Sequence, residues 1–416
     1  MESLLMLVHR IPFPPNKGDK IRSYHLLQQL SQHFKVHLAT FVDDADDWQH
    51  VPRVQQLCAS SHFAPLNPTA ARIRSLGALL SKRSLSLDYY RDAGLARWVA
   101  DAVRIHRIDR ALVFSSAMAQ YAEGVPGPRR VVDFCDVDSE KWREYAEKKR
   151  FPMNLVYARE ARQLLRYERT VAAGCGAALF VSEPEAALFR QLAPESAART
   201  AYFSNGVDTN YFSPHRAYDN PYPAGAHAVV FCGAMDYWPN VDAVSWFARE
   251  VFPALKARHA GAAFYIVGAR PPAEVAQLAS LPGVIVTGTV PDVRPYVAHA
   301  AVCVAPLRVA RGIQNKVLEA MAMGKTIVVS PQALEGIAAR PGAELLLATE
   351  AAEFGAAVGA ALDAPCARMG EAARARVEDS YSWTRNLAPV IDMLKAGAAQ
   401  PAAAATGMGG AQWKPA

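Results

Sequence analysis

Cysteine is scarce and scattered in this 416-residue chain: six residues, Cys58, Cys135, Cys175, Cys232, Cys303 and Cys366, with no CxxC pair and no tight His/Cys grouping. That spacing argues against a structural zinc site and against a disulfide framework. No run approaches 18 consecutive apolar residues, so no transmembrane helix is expected. The opening MESLLMLVHRIPFPP has no basic stretch before its short apolar run and no cleavage pattern after it. It reads as a first strand over residues 4–8 rather than a secretory leader. A reducing cytoplasm is the expected compartment. No aromatic–basic RNA signature or zinc finger marks a nucleic-acid binder, and no 20–50-residue repeat is found. What is present is ordinary for a folded protein: 51% hydrophobic residues, 20% charged residues and a mean hydropathy near zero. The length predicts two or three domains and a large core that needs no disulfide or metal staples.

Charge is unevenly placed. Residues 1–205 hold 28 Lys and Arg against 22 Asp and Glu, whereas residues 206–416 hold 17 of each. The net charge of +6 therefore lies in the first half, which predicts two domains facing different partners. The sharpest basic stretch is 141–169. Arg159, Arg162, Arg166 and Arg169 are spaced to share one helix face. A solvated face with Glu160 and Glu168 as pair partners is the plainer reading of that spacing. Attraction to an anionic membrane surface or a phosphorylated acceptor is the sharper one.

Short apolar runs alternate with amphipathic stretches along the whole chain. Strands are expected at 4–8, 36–41, 112–114, 131–134 and 178–181, then at 228–231, 263–267, 284–287, 302–305 and 326–329. Helices are expected near 21–32, 241–258, 273–280 and 313–323. Strand–helix alternation at this spacing predicts an α/β fold of two doubly wound domains with parallel sheets covered on both faces. The first is expected over 1–204, a Pro/Gly/Asn-rich linker over 205–226, the second over 227–396, and an Ala/Gly-rich disordered tail over 397–416.

Doubly wound sheets bind ligands beyond the carboxyl ends of their strands, which directs attention to three loops. The first, PFPPNKGDKIRS, offers Lys17, Gly18 and Asp19 ahead of a helix N-terminus; it is neither a P-loop nor GxGxxG. The second, DFCDVDSEK, offers Asp133, Asp136, Asp138 and Lys141. One of these acids, Asp138, or Ser139 beside it, is expected to cap the following helix, and Asp133 is expected to contact substrate. A metal needs more oxygen ligands than this segment supplies, so no metal or other cofactor is expected. The third, PLRVARGIQNKVLEAMAM, places Arg308, Arg311, Gly312 and Ile313 before a helix carrying Lys316 and Glu319. A Gly-containing loop and helix N-terminus flanked by cations make a seat for a diphosphate. Glu319 is placed to accept the hydroxyls of a ribose; an i−3 pair with Lys316 on the helix surface is the alternative.

These segments resemble family-4 glycosyltransferases of the GT-B fold. The resemblance rests on SNGVD…F at 204–212, on RGIQNKVLEAMAMGKTIVVS, and on the strand 263–267 with Gly268 followed by VTGTVPDVRPYVAHAAVCVAPL. It covers residues 1–396. More narrowly, KGDKIRSYHLL, DVDSEKW and GIQNKVLEAMAMGK look like the bacterial sugar transferases associated with exosortase (PEP-CTERM) exopolysaccharide systems. Two positions depart from the family pattern. Arg311 stands where the first carboxylate of Glu-x7-Glu would be, with Glu319 as the second. Ala234 stands where a phosphate-binding arginine would be, with no lysine following.

The resemblance implies two Rossmann-like domains facing across a cleft, with a nucleotide-sugar held by the second. Gly233, Asp236, Gly268, Val290, Gly312, Ile313 and Glu319 would contact the donor, and Arg308, Arg311 and Lys316 would replace the missing cations. The acceptor, a glycan or lipid-linked glycan, would meet Lys17, Gly18, Asp19, Asp133, Asp138 and Lys141. Retaining glycosyl transfer in exopolysaccharide synthesis is the implied reaction, in the cytoplasm or peripherally on the inner face of the plasma membrane. His9 and His25, near the first loop, are taken as structural. A GT-B epimerase of sugar nucleotides and a non-catalytic nucleotide-sugar-binding scaffold are the alternatives.

Overall fold

The computed structural model describes residues 1–310 and 312–396; Arg311 and the expected tail lie outside the described residues. Thirteen strands form two all-parallel sheets. The first sheet contains β1 (Ser3–Val8), β2 (Lys35–Val42), β3 (Ser60–Pro65), β4 (Ala111–Phe114), β5 (Arg130–Cys135), β6 (Ala177–Phe180) and β7 (Thr200–Tyr202), in the order β3-β2-β1-β4-β5-β6-β7. The second contains β8 (His227–Cys232), β9 (Ala262–Val267), β10 (Val284–Gly288), β11 (Val302–Ala305), β12 (Ile327–Val329) and β13 (Leu346–Leu347), in the order β10-β9-β8-β11-β12-β13.

The central strands are continuous apolar runs because helices cover both faces of a parallel sheet. Leu4 to Val8 of β1 are wholly buried, with Leu5 registered on His37 of β2 and on Ala111 of β4. The edge strands β3 and β13 and the short β7 were not expected. SSHFAP of β3 is only half-buried along most of its length, so it lacks the apolar run that marks its neighbours.

The chain divides into two compact units. One comprises Met1–Phe203 together with the chain from Leu387 onward, and the other is Ser204–Asn386. This differs from the expected boundaries in two ways. The last helix, Trp383–Ala396, passes mainly to the first unit, although 227–396 was expected to form the second. Arg110 explains part of this, since its guanidinium donates to the carbonyl of Leu394. The segment expected to be a linker is integral to the second unit. The Val207 amide donates to Tyr381 O at 2.8 Å, and a side chain at Gly206 would meet the backbone of Trp383 at 2.7 Å. Glycine is required there because two stretches of backbone touch.

In the first unit, Arg22, on the helix Gly18–Leu30, forms a bidentate pair with Asp133 of β5, at 2.7 and 3.1 Å. Both side chains are wholly buried. The guanidinium also donates to Phe203 O at 3.1 Å and lies over the Phe203 ring. Asp133 is therefore a core group that fixes a helix onto the sheet, and the expectation that it contacts an acceptor is corrected. The expected side-chain cap of the next helix is corrected as well. The helix Asp138–Lys148 follows Val137 without a cap from its own segment. Its free amides are met from other helices: Glu185 accepts from Val137 N at 2.8 Å, and Glu168 accepts from the Ser139 amide and hydroxyl. Carboxylates near a helix N-terminus satisfy its unpaired N–H groups wherever in the chain they come from.

Candidate functional site

In each sheet the strand order reverses beside the first strand, between β1 and β4 and between β8 and β11. The loops leaving those strands stand at the carboxyl edge, where ligands of doubly wound sheets bind.

In the second unit the loop after β8 carries Gly233 and Asp236, and the loop after β9 carries Gly268. These two loops are laced together. Gly233 N donates to Val267 O at 3.0 Å and Met235 N to Ala269 O at 2.9 Å. A Cβ on Gly268 would fall 1.7 Å from Gly233 O, and one on Gly233 would fall 2.8 Å from Asn240 Nδ2. Both glycines therefore have a packing reason to be glycine. Asp236 pairs with Arg270 at 3.4 Å. Val290 lies just after β10, next to Asp292, whose carboxylate is bound by Arg294 while that guanidinium stacks on Tyr211 at 3.7 Å.

The loop after β11 leads to the helix Asn315–Ala322. Gly312 has φ 64°, a left-handed conformation natural to glycine, and the Ile313 side chain is buried. Arg308 points to the carboxylate of Asp242, with Nε 2.9 Å from Oδ2. Its charge is thus already matched within the unit. Lys316 donates to Asn240 Oδ1 at 2.6 Å and sits 4.6 Å above the Phe231 ring. Asn240 in turn donates to Ala234 O at 2.8 Å. The chain Lys316–Asn240–Ala234 therefore ties the helix Asn315–Ala322 to the loop after β8. This tie was not foreseen, although WPN immediately after the loop carried its central residue.

Glu319 stands one turn beyond Lys316. Its carboxylate makes no hydrogen bond or ion pair with another described residue. With Lys316, Cys232 and Cys303 it lines a cavity of about 10 Å³ under the helix, space for a single water. Burial pushes Glu319 up to about 7, opposed by Lys316, and pushes Lys316 down to about 8, opposed by Glu319. An acid and a base whose pKa values approach neutrality from opposite sides are a signature of ligand sites more than of plain structure.

In the first unit, the loop after β1 places His9 Nε2 3.3 Å and Arg10 Nη1 3.0 Å from Asp19, while Arg10 also clasps Asp43. Burial alone would raise Asp19, but the His9 hydrogen bond and Arg10 outweigh it and hold the carboxyl well below the usual range. Lys17 and Gly18 lie at the start of the helix that follows. Asp138 and Lys141 lie in the first turn of the helix after β5. Asp136, one of the acids the sequence offered in that loop without an assigned role, is the group whose environment stands out. Its Oδ1 is buried without a hydrogen-bond partner. Burial, Glu185 and Asp138 push it up to about 7 against Lys141 and Arg22. Three acids in DFCDVD were visible in the sequence; that Asp133 would be paired in the core and Asp136 left with a buried, unpartnered oxygen was not.

The expected arginine stripe lies on the helix Met153–Gly174; its two ends are held by other segments, while Arg162 and Arg166 are exposed and reach only Ala158 O and Gln163 of their own helix. Arg159 donates to the carbonyls of Ala78, Ser81 and Arg83. Arg169 pairs with Glu195 at 2.7 Å. Glu160 and Glu168 are not surface partners of the stripe; both are buried, and Glu160 accepts from Ser84, Leu85 and Ser86. No helix among the described residues is long and apolar enough to cross a membrane.

Comparisons with known proteins bear on the fold and on the second unit. Residues 226–364 match the family described as glycosyl transferases group 1. No curated protein matches the chain. Among solved structures, sucrose-phosphate synthase from Thermosynechococcus elongatus is similar at 15% identity and TM-score 0.69, covering 95% of this chain and 99% of that one. WaaG, a glycosyltransferase involved in lipopolysaccharide biosynthesis, is similar at 16% identity and TM-score 0.66, covering 93% and 99%. HepE of Anabaena, solved with UDP and glucose, is similar at 14% identity and TM-score 0.63, covering 95% and 100%. The chain thus has the two-sheet α/β architecture of GT-B glycosyltransferases, and its β8–β13 unit carries the match to the group 1 family.

Proposed function

We propose that the protein is a glycosyltransferase that takes a sugar from a nucleotide-sugar, with retention at the anomeric carbon, and passes it to a glycan or lipid-linked glycan. The observation that carries this reading is the coincidence of the family match with the crevice between β8 and β11, where a Gly loop, a helix N-terminus and Lys316 converge. Transfer requires stabilisation of the diphosphate that departs as the glycosidic bond breaks. Lys316 and the first amides of the helix supply positive potential where that charge develops. Arg311 would add to it in the same loop, whereas Arg308 would first have to leave Asp242. Glu319 is assigned to the donor ribose. The departing phosphate can accept the proton of the incoming hydroxyl, so no metal or organic cofactor is assigned. UDP-sugars are the first donors to test, because the HepE structure holds UDP and glucose.

A role in exopolysaccharide synthesis at the cytoplasmic face of the membrane completes the reading. The test is incubation with a panel of nucleotide-sugars and glycan acceptors, followed by mass spectrometry. Free nucleotide together with an acceptor lengthened by one sugar is expected. An altered sugar without acceptor would indicate an epimerase, and binding without turnover a scaffold.

A further inference from the structure

Cations alone do not say which surface of the first unit could meet an anionic partner, and the exposed apolar side chains identify one. Ile73, Leu76, Leu79 and Leu80 are exposed on the helix Pro68–Ser75 and the turn Leu76–Leu80 that follows it. Leu80 is 96% exposed. Phe151, Met153 and Leu155 are exposed at the start of the helix Met153–Gly174, Phe151 to 77%. The two segments adjoin. Arg159, one turn after Leu155, binds the carbonyls that end the Leu76–Leu80 turn, and Glu160 holds Ser84 to Ser86.

The charge around these side chains has one sign. Residues 66–87 contain Arg72, Arg74, Lys82 and Arg83 and no Asp or Glu; residues 148–150 are Lys-Lys-Arg. Arg83 is paired with Asp88. Arg74 binds only carbonyls and keeps its net charge. Glu147, the nearest acid before the second segment, is paired with Arg143. Clustered leucine and phenylalanine side chains in water are unfavourable and mark an interaction surface. Apolar side chains flanked by an excess of cations, Arg72, Arg74, Lys82, Lys149 and Arg150 among them, fit a surface whose interior is hydrocarbon and whose face is anionic.

We propose that residues 72–83 and 148–155 of the first unit form a docking surface for an anionic phospholipid bilayer, with Leu76, Leu79, Leu80 and Phe151 entering the headgroup boundary. Arg72, Lys82, Lys149 and Arg150 lie against lipid phosphates. This deepens the membrane part of the proposed function and not its chemistry, so docking and turnover can fail separately.

The test is co-sedimentation of the full chain with phosphatidylcholine vesicles, with and without phosphatidylglycerol, alongside nucleotide-sugar turnover on a soluble acceptor. Wild type should bind only vesicles containing phosphatidylglycerol, and should release them at about 1 M salt, where the Debye length falls to about 3 Å. Leu80→Glu with Phe151→Glu should lower the partition coefficient at least tenfold at unchanged melting temperature. Lys82→Gln with Arg150→Gln should lower it several-fold. Arg162→Gln with Arg166→Gln should leave it within twofold. The proposal is overturned if the Leu80/Phe151 variant binds like wild type, if neutral vesicles bind equally well, or if wild type does not bind at low salt. It is also overturned if the Arg162/Arg166 pair proves to carry the binding. Sedimentation velocity without lipid completes the set: a wild-type dimer that Leu80→Glu dissociates would assign the surface to a second copy of the chain instead.

Discussion

The two switch-point crevices are built on the same strand order, yet they treat charge in opposite ways. Beside β1, carboxylates are locked: Asp19 and Asp43 by Arg10, and Asp133 by Arg22. Beside β8, Lys316 has a neutral partner, and Glu319 has no hydrogen-bond or ion-pair partner among the described residues. Ion pairs that are already formed hold a framework, because breaking them for a ligand must be offset by that ligand. Groups with displaced pKa values and no ionic partner among the described residues are candidates to meet one. The first crevice is thus a rigid frame and the second a charged seat, and substitutions should separate these roles.

The largest effect is expected at Arg22 and Asp133. Removing one member leaves the other charged and wholly buried, which costs about 3–5 kcal/mol. Asp133→Ala should therefore lower the denaturant midpoint of the first unit drastically. Arg22→Met with Asp133→Leu should recover most of the loss, because an apolar pair of similar volume avoids the stranded charge. A mild effect of Asp133→Ala, with normal folding and lost acceptor binding, would return Asp133 to the acceptor site where the sequence placed it.

That pair also shows where sequence reasoning stops. The sheet was legible because its inner strands are apolar runs of the right length, bounded by Gly, Pro and Asp. Strand β3 was not, because SSHFAP lies at an edge and needs little apolar surface. Asp133 and Arg22 were legible as chemistry and not as partners, since 111 residues separate them and only the fold brings a helix side chain onto β5. The candidate seat in the second unit rests on a local pattern. Its Gly loop, Lys316 and Glu319 are local in sequence and share one loop–helix turn. What no local pattern carries is the contact from Asn240 across to Lys316, or the salt bridge by which Asp242 holds Arg308.

A second, smaller effect is expected at Lys316. A charge-assisted hydrogen bond is worth about 1.5–3 kcal/mol, so Lys316→Met should weaken nucleotide binding by roughly tenfold or more. Asn240→Leu should weaken it less, since the charge remains while the tie to the loop after β8 is cut. Calorimetry with UDP reads both. Equal affinity in all three proteins would remove Lys316 from the diphosphate seat.

Glu319 should report its burial through pH. Its carboxyl titrates near 4.5 when unfolded and is raised to about 7 in the fold. Between those values the folded state holds the proton more tightly, so this group's contribution to stability falls as pH rises from about 4.5 to 7. Glu319→Gln removes that slope. The variant should match wild type near pH 4.5 and exceed its stability by on the order of 3 kcal/mol at pH 8. A parallel pair of stability-versus-pH curves would show that the carboxylate is well solvated. Nucleotide affinity measured on the same variant tests the ribose assignment independently.

The smallest effect is expected at Arg308, and it sharpens the comparison most. The residue was expected to hold the diphosphate, but its guanidinium is half-exposed and bound to Asp242. An exposed pair of this kind contributes about 0–1 kcal/mol to stability, and its net field at the crevice is small because the two charges cancel. Arg308→Gln should therefore change UDP affinity less than threefold, well short of the Lys316 effect. Asp242→Asn is the informative partner. It frees the arginine without removing it, so if Arg308 can turn to the diphosphate, affinity for UDP should rise and become more sensitive to salt. If neither variant changes affinity, Arg308 belongs to the frame of the second unit, and the diphosphate is left to Lys316, the helix amides and Arg311. If Arg308→Gln costs tenfold or more, the pair with Asp242 opens when the donor arrives, and the second crevice, like the first, keeps its carboxylate as a lock, one that the ligand releases.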